Sequence, residues 1–346
     1  MPRRAIVLMN LGGPDSLAAV RPFLFNLFND DAIIALPGLL RSPLAWLIAA
    51  RRAPLARRIY AEIGGASPLL ANTEAQARAL EAALGPEHRC FVAMRYWHPL
   101  TTETARQVAA WGPDEVVCLP LYPQFSTTTT GSSLAVWRRE AQRLGLDIPT
   151  RIVCCYPTLP GFVESLATLI RPALKGSGSG PRGPRLLLSA HGLPKKIVQT
   201  GDPYQRQVEA TAAAVIAALA RLGADEWGLD WRVCYQSRVG PLEWIGPSVE
   251  SEIRRAGAEG VSLVVAPISF VSEHSETLVE LDIEYGRLAR SCGVPNYRRV
   301  ATVSVEPVFI AALAELVCDP AASEPMSAGD DRFCRARVTA AAGALR

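Results

Sequence analysis

The sequence predicts an α/β protein made of two Rossmann-like halves, each with a parallel sheet, that face a central cleft. Short apolar runs rich in β-branched residues alternate with longer helical patterns, as parallel sheets require. Several of these runs are hydrophobic throughout, which is typical of strands covered on both faces. The order of strands and loops in the first half is also repeated in the second. We therefore predict domains at residues 1–160 and 161–318, followed by a tail at 319–346 that packs back or is partly disordered.

The bulk properties exclude several classes of protein. A chain of 346 residues with 49% hydrophobic content can form two domains with real cores. The net charge of +3 gives no electrostatic footprint for nucleic acid. No apolar window approaches the roughly 18 residues that a membrane span requires. The short apolar run at the start of the chain ends in Gly-Gly rather than in the small-residue cleavage site of a secretory signal peptide, so we predict that it is the first strand. The eight cysteines contain no C-x-x-C pair, which suits a reducing cytoplasm.

In the first half, predicted strands end at Gly12-Gly13, at Arg95-Tyr96 and at Pro123. A helix is predicted from Thr73 to Leu84, because Gly85 is a stop signal. The hydroxyl-rich stretch Ser126–Ser133 precedes a further predicted helix, so its side chains could cap that helix or receive an anion. Neither a G-x-G-x-x-G nor a P-loop pattern is present, which leaves a nucleotide or phosphate-ester enzyme as a weakly supported alternative.

The second half repeats the plan after the Gly/Ser-rich stretch Lys175–Arg185, which we interpret as the connector between the halves. Its predicted strands end at His191-Gly192, at Gln236-Ser237 and at Phe270. An alanine-rich helix is predicted from Val208 to Leu222. The last strand, Val261–Phe270, leads directly into an acidic helix.

That strand-to-helix stretch is the predicted active centre. Glu273, His274 and Glu276 follow the strand within a few residues, where open α/β sheets bind ligands. The spacing of Glu276, Glu280 and Glu284 at i, i+4 and i+8 places three carboxylates on one helical face. A solvated acidic face is the alternative interpretation.

His191 also stands at a strand end. A single histidine there is more often a packing or hydrogen-bonding residue than a catalytic one. If the two strands are parallel in one sheet, however, His191 emerges on the same side as His274 and Glu276. Imidazole and carboxylate groups can then converge on one ligand.

The segment Ile33–Ile63 combines leucines and a tryptophan with several arginines. It is predicted to be either an ordinary helix or an exposed apolar lip with basic flanks. The second reading suits a membrane surface or a large, flat, anionic ligand.

Eight short motifs together resemble the ferrochelatase family, in the same order and spacing from residue 5 to about 318. They are NLGGP (10–14), GGASPL (64–69), RYWHPLT (95–101), LYPQFSTTTTGSS (121–133), SAHGLP (189–194), GDPY (201–204), YQSRVGPLEWIGP (235–247) and SEHSETLVELDIEY (272–285). The resemblance implies insertion of Fe2+ into protoporphyrin IX to give protohaem, the last step of haem synthesis, in a cleft between two Rossmann-like domains.

The resemblance also implies roles for individual residues. His191 matches the family's metal-site histidine and Glu276 its essential acid, with His274 beside them. Glu273, Glu280 and Glu284 match a path for metal or protons, although many relatives have Asp at the first position. The matched porphyrin-binding positions are Leu11, Arg52, Tyr60, Ser67, Tyr96, Trp244 and Phe270.

No cofactor is implied beyond the two substrates, protoporphyrin IX and Fe2+. Some family members carry a [2Fe-2S] cluster on four thiolates. Here Thr127 replaces the body ligand of the animal pattern, so only Cys154 and Cys155 with the tail residues Cys318 and Cys334 could supply four. We therefore expect no cluster, and a cytoplasmic enzyme in peripheral contact with the inner membrane.

Two alternatives to this reading have their own discriminating experiments. Within the same chemistry, the chain could be a coproporphyrin ferrochelatase or a cobalt chelatase, which a comparison of porphyrins and metals would reveal. In a different class, it could be a haem or porphyrin carrier. A carrier would not need His191 opposite Glu276, and turnover would exclude it.

Overall fold

A computed structural model describes residues 2–177, 183–223, 229–238, 240–322 and 324–326. These residues divide into two compact units. The first unit holds the described chain up to Cys155 together with the part from Leu313 onward, and the second unit is Tyr156–Ala312. Within the described residues, no helix is long and apolar enough to cross a membrane.

Each unit contains its own parallel sheet. The strands are β1 Arg4–Asn10, β2 His88–Met94, β3 Glu115–Pro120, β4 Thr150–Ile152, β5 Arg185–His191, β6 Trp231–Gln236, β7 Leu263–Pro267, β8 Tyr297–Arg299 and β9 Glu324–Pro325. The strand order is β2-β1-β3-β4-β9 in the first sheet and β6-β5-β7-β8 in the second. All pairs are parallel except β4 with β9. The predicted α/β class and the repeated plan are therefore confirmed.

Helices connect the strands. They are α1 Val20–Phe28, α2 Gly38–Ala61, α3 Leu69–Leu84, α4 Thr101–Trp111, α5 Ser132–Arg143, α6 Pro160–Lys175, α7 Lys195–Gln199, α8 Tyr204–Arg221, α9 Val249–Glu259, α10 Tyr285–Ser291 and α11 Pro307–Cys318. Two segments are π-helical, Thr127–Gly131 and Glu276–Glu284, and each leads into an α-helix. Pro320–Ala322 forms a 3₁₀ turn.

The central strands are buried because helices cover both faces of the sheets. In the first unit, Ala5, Val7 and Met9 of β1 form one core cluster with Leu134 and Trp137 of α5. In the second unit, Leu187 of β5 packs with residues of α9 and α10. This is why the strands are apolar throughout instead of alternating with polar residues.

The Gly/Ser-rich stretch Lys175–Arg185 does not separate the two units, contrary to the sequence-based interpretation. Residues 178–182 of this stretch lie outside the described residues. The second unit already begins at Tyr156, before helix α6, so the stretch Lys175–Arg185 does not mark the boundary between the two units. Phe162, Leu166 and Ile170 explain this placement, because they are completely buried on the face of α6 that packs toward the second core.

Two predicted helix ends are confirmed in detail. The chain turns at Gly85 and Gly223 with φ of 87° and 83°, a region that favours glycine. The helices themselves start earlier than predicted, since α3 begins at Leu69 and α8 at Tyr204. Strand β7 is shorter than the apolar run that predicted it, because Ile268 to Phe270 already belong to the loop.

Candidate active site

The predicted active centre lies at the carboxyl ends of three neighbouring strands of the second unit. Strand β5 pairs in parallel with both β6 and β7. His191 is the last residue of β5 and lies opposite Gln236, the last residue of β6. The loop after β7 then carries the chain into the π-helix, whose first residue is Glu276. The parallel register therefore brings these polar groups to one edge of the sheet.

His191 and Glu276 form a direct pair. The distance from Nδ1 of His191 to Oε2 of Glu276 is 2.8 Å. Burial by itself would lower the pKa of His191, but the Glu276 carboxylate outweighs it and raises that pKa above its usual value. Burial would likewise raise the pKa of Glu276, yet His191 and His274 hold it well below the usual range. Each member of the pair therefore favours the charged form of the other.

His274 and Phe270 complete the surroundings of this pair. Nδ1 of His274 lies 3.0 Å from the carbonyl oxygen of Ser272, while its Nε2 is 3.7 Å from Oε2 of Glu276. The carbonyl fixes the tautomer with hydrogen on Nδ1, because a carbonyl oxygen can only accept. The ring of Phe270 is 4.6 Å from that of His274 and 6.5 Å from that of His191, edge-on to both. One apolar ring therefore borders both imidazoles.

Glu280 lies next to Glu276 but has different partners. Its carboxylate accepts the backbone N–H of Ser237 at 2.8 Å and contacts the Ser237 hydroxyl at 2.5 Å. Gln236 Nε2 donates to the same carboxylate at 3.0 Å. Burial and then the charge of Glu276 raise the pKa of Glu280 above its usual value. Two neighbouring carboxyl groups therefore differ in their tendency to hold a proton.

The two remaining carboxylates of the predicted path have other surroundings. Glu284 is exposed at the end of the π-helix. Glu273 Oε1 contacts Arg299 Nη1 at 2.5 Å and accepts the backbone N–H of Thr302 at 2.9 Å. Burial would raise the pKa of Glu273, but Arg299 reverses this and lowers it. Glu273 is thus an ion-paired carboxylate, although it follows the same strand as Glu276.

Trp244 lies close to the strand end that carries His191. It pairs through an isolated bridge with Pro194. A Cβ at Gly192 would lie 3.2 Å from Cε3 of Trp244 and 2.9 Å from the carbonyl oxygen of Gln236. The glycine after His191 therefore allows the indole and the β6 strand end to approach the backbone closely.

Three of the predicted porphyrin residues of the first unit belong to one apolar cluster. Tyr60 and Tyr96 are buried in it, and Leu11 packs against it from a partly exposed position. Ser67 lies beside Gly13, where a Cβ would come within 2.4 Å of its hydroxyl. The sequence predicted these residues as a group, and the structure brings them to the ends of β1 and β2.

Arg52 of α2 is partly buried, with its guanidinium 5.5 Å from the ring centre of Phe28. Burial lowers its pKa from the usual value. Within the described part of the chain it makes no ion pair, so this cation is available for an anionic ligand group.

A buried network around Asp30 was missed at the sequence level. Oδ2 of Asp30 accepts hydrogen bonds of 2.7 Å from Arg95, Tyr96 and Ser132. Arg95 also donates to Ser132 at 2.8 Å. The network fixes the chain after β2 to the start of α5 through a carboxylate that is 1% exposed. The local sequence around Asp30 does not predict this hydrogen-bond network, because the partners of Asp30 lie 65 or more residues away.

Three of the four cysteines considered as ligands of a [2Fe-2S] cluster lie within the described residues. The sulfur atoms of Cys154 and Cys155 are 3.3 Å apart, and Cys318 is exposed at the end of α11. Cys334 lies outside the described residues. Among the described residues, no group of three or more His, Cys, Asp or Glu side chains is arranged to hold a metal ion.

Comparison with known proteins gives a consistent result. A family model described as Ferrochelatase matches residues 3–321. A protein named ferrochelatase from Caulobacter vibrioides is 57% identical over 93% of this chain and 91% of its own length. Its namesake from Phenylobacterium zucineum is 58% identical over 90% of this chain and 89% of its own. A protein named ferrochelatase from a Wolbachia of Drosophila simulans is 49% identical over 91% of this chain and 98% of its own length.

Among solved structures, SirB from Bacillus subtilis with Fe3+ has a TM-score of 0.53 at 12% identity. The match covers 91% of this chain and 94% of SirB. At this identity the similarity concerns the fold alone.

Proposed function

The chain belongs to the ferrochelatase family, and we propose that it inserts Fe2+ into protoporphyrin IX through the paired side chains of His191 and Glu276. The observation that carries these roles is the 2.8 Å contact between the two side chains at a strand end. Two pyrrole N–H protons must leave the porphyrin while Fe2+ loses water. The reaction therefore needs a base for the protons and a ligand for a borderline metal ion, and imidazole with carboxylate provides both.

The geometry divides the work between the two residues. Glu276 engages Nδ1 of His191, so Nε2 is the imidazole nitrogen that remains for Fe2+ or a pyrrole proton. When Nε2 takes up a proton, the resulting imidazolium is stabilised by the Glu276 carboxylate. Nε2 of His274 lies 3.7 Å from the same carboxylate, and His274 is, with His191, one of the groups that hold the pKa of Glu276 below its usual range.

Porphyrin binding calls for flat apolar walls and cations for the propionates. We propose Trp244 and Phe270 as walls in the second unit, and Leu11, Tyr60 and Tyr96 with Ser67 in the first. Arg52 is the proposed propionate partner, because a partly buried guanidinium without an ion pair in the described chain favours a carboxylate ligand. Burying about 300 Å² of macrocycle at roughly 25 cal/mol per Å² would contribute about 7 kcal/mol before association costs.

We further propose that helix α2 touches the inner membrane from the cytoplasmic side. Its first half exposes large apolar side chains, with Leu39 at 92%, Leu40 at 61% and Trp46 at 57%. Arg51, Arg57 and Arg58 are exposed on the second half. An apolar patch with basic flanks is the pattern of a peripheral membrane contact. Such a contact would let hydrophobic protoporphyrin pass from the bilayer with little exposure to water.

The enzyme is proposed to work without a resident cofactor, with Fe2+ as a substrate. If a [2Fe-2S] cluster were bound, the purified protein would show its visible absorption and contain two irons and two labile sulfides per chain. We expect neither, and we expect that removing the residues after Pro320 leaves insertion activity intact. Visible cluster absorption that disappears with the tail would overturn this part of the proposal.

An anaerobic insertion assay tests the function directly. Purified protein is mixed with protoporphyrin IX or coproporphyrin and with Fe2+, Co2+ or Zn2+, and the loss of free porphyrin is followed by fluorescence. We expect the highest kcat/KM for protoporphyrin with Fe2+. A preference for coproporphyrin or Co2+ would redefine the substrate, whereas porphyrin binding without turnover would identify a carrier.

A further inference from the structure

Arg299 connects both ends of the stretch that carries the proposed catalytic side chains. It is the last residue of β8, the strand next to β7 in the second sheet. Its Nε and Nη2 donate to the two carboxylate oxygens of Asp282, at 2.8 and 2.6 Å. Its Nη1 donates to Oε1 of Glu273 at 2.5 Å. One guanidinium thus binds a residue of the loop before the π-helix and a residue near the end of that helix.

The Arg299 guanidinium is well suited to restrain this stretch. Its side chain is only 11% exposed, so the two ion pairs are screened less than pairs at the surface. A planar fork that meets a carboxylate with two parallel hydrogen bonds fixes direction as well as distance. The third donor of the same plane meets Glu273. The positions of Asp282 and Glu273 relative to each other are therefore fixed by one rigid group.

Tyr297, two residues before Arg299, adds a second restraint from the same strand. Side chains two residues apart on a strand lie on one face of the sheet. The Tyr297 phenol donates to the carbonyl oxygen of Leu281 at 2.6 Å. One face of β8 therefore holds the π-helix at two successive residues, 281 through its backbone and 282 through its side chain.

The π-helix Glu276–Glu284 depends on restraints of this kind. Such helices are rare and mostly occur as single turns at functional sites, whereas this one is nine residues long. In the observed conformation Glu276 meets His191 and Glu280 meets Ser237. If the segment changed to the i→i+4 hydrogen bonds of an α-helix, the rotation between its side chains would change. The two carboxylates could then not both keep their partners.

We propose that Arg299 is a positioning residue for metal insertion, which holds the π-helix so that Glu276 and Glu280 keep their places at the strand ends. The inference rests on the proposed function, because it concerns the side chains that would handle Fe2+. Neither Arg299 nor Asp282 belongs to the residues that the sequence predicts for the site. Arg299 acts through the loop and the helix that it binds, and not on the substrates.

A matched ion-pair network lies at the opposite end of the same sheet. Arg185 is the first residue of β5, the strand whose last residue is His191. Its guanidinium donates to Asp230 at 2.7 Å and to Glu259 at 2.6 Å, and its side chain is 4% exposed. Arg185 and Arg299 are thus alike in burial and in having two carboxylate partners. They differ in that only Arg299 binds the stretch that carries Glu276.

The test compares Arg299→Lys with Arg185→Lys in the full chain. Lysine keeps the charge but lacks the planar fork, so it cannot hold two carboxylates in fixed directions. We expect both variants to lower the unfolding midpoint by a similar few degrees. Only Arg299→Lys should lower kcat for Fe2+ insertion, by about tenfold or more, while the KM for porphyrin stays within about twofold. Thermal unfolding and steady-state insertion kinetics measure these effects.

A second pair of variants tests whether Arg299 acts through Asp282. Asp282→Asn removes the carboxylate that accepts two hydrogen bonds, and we expect the same loss of kcat as in Arg299→Lys. The double variant should be no slower than the slower single variant, because the effects of two residues in one contact are not additive. Asp230→Asn is the matched control, since it removes a carboxylate partner of Arg185, and it should keep a wild-type kcat.

A normal kcat in Arg299→Lys, an equal loss of kcat in Arg185→Lys, or multiplicative losses in the double variant would each overturn the positioning role. If either lysine variant fails to fold, Asp282→Asn and Asp230→Asn decide by the same criteria. Failure of the wild-type protein to insert Fe2+ would instead refute the proposed function, and the positioning role with it.

Discussion

Ser237 gives Glu280 two hydrogen-bonding contacts, a backbone N–H at 2.8 Å and a hydroxyl at 2.5 Å. This geometry requires Ser237 to adopt a left-handed backbone with φ of 62°. A non-glycine residue in that region costs about 1–2 kcal/mol. Strained residues of this kind tend to occur where function requires an unusual geometry. The strain at the end of β6 is thus linked to the carboxylate beside the proposed metal site.

We expect Ser237→Gly to lower turnover about tenfold without lowering the unfolding midpoint by more than a few degrees. Glycine keeps the backbone N–H and tolerates positive φ, but it lacks the hydroxyl between Glu276 and Glu280. Ser237→Ala should lose the same activity and also some stability, since alanine retains the strain. Thermal unfolding and insertion kinetics on both variants check this. Full turnover in the glycine variant would show that the hydroxyl is dispensable.

Replacing His191 by Ala, or Glu276 by Gln, should abolish or nearly abolish turnover. Porphyrin should still quench tryptophan fluorescence at similar concentrations, because apolar walls and propionate contacts provide most of the binding free energy. Insertion kinetics and a fluorescence titration of each variant separate the two effects. Near-normal turnover in Glu276→Gln would refute the proposed mechanism.

Glu280→Gln should raise the apparent KM for Fe2+ more than it alters the KM for porphyrin. The carboxylate lies next to Glu276 in the π-helix and shares Ser237 with it, so it can pass hydrated metal inward or protons outward. Glu284→Gln should be milder, because that side chain is exposed. Steady-state kinetics with each substrate varied in turn distinguishes the cases. Equal effects on both KM values would indicate a structural role for the acidic face.

The parts of this site that the sequence predicted are those fixed by chain direction. His191 and Glu276 follow strands of one parallel sheet, so their convergence follows from strand order. The i, i+4, i+8 pattern suggested an ordinary α-helix, however, and the structure has a π-helix there. Residue spacing cannot distinguish an α-helix from a π-helix, since the two differ in which carbonyl oxygen accepts each backbone N–H.

Other contacts could not be predicted from sequence for a different reason. Ser237 and Tyr285 both contact Glu280, and each lies outside the π-helix that carries it. Ser237 and Glu280, for example, are 43 residues apart. A serine after a strand and a tyrosine in a helix carry no local sign of such partners. Only the fold brings Ser237, which directly follows β6, to the π-helix that carries Glu280.

Asp30→Asn should destabilise the protein by about 3 kcal/mol at pH 7, because it removes the charge that compensates the partly buried Arg95. Burial would raise the pKa of Asp30, but Arg95 and the hydroxyl donors outweigh this and lower it from 3.8. A carboxyl group with a lowered folded pKa stabilises the fold above its unfolded pKa. That stabilisation is lost as the pH falls through the folded value.

The difference in unfolding free energy between the wild-type protein and Asp30→Asn should therefore be constant near neutral pH. Below about pH 4 it should shrink, because Asp30 then takes up a proton in the unfolded wild-type chain while it is still ionised in the folded one. Urea unfolding at a series of pH values measures this difference directly. A difference that grows with acid would contradict an ionised Asp30 in the folded state.

Replacing Leu40 and Trp46 together by Ser should weaken binding to vesicles that contain anionic lipid and raise the apparent KM for protoporphyrin supplied in those vesicles. These side chains are 61% and 57% exposed, so the substitutions remove apolar area without opening the core. Val308→Ser is the control, because Val308 is 50% exposed and belongs to a different helix, α11. Vesicle flotation and insertion kinetics should separate the pair from the control. If the double variant binds vesicles as the wild-type protein does and keeps its KM, the exposed face of α2 has a purely structural role.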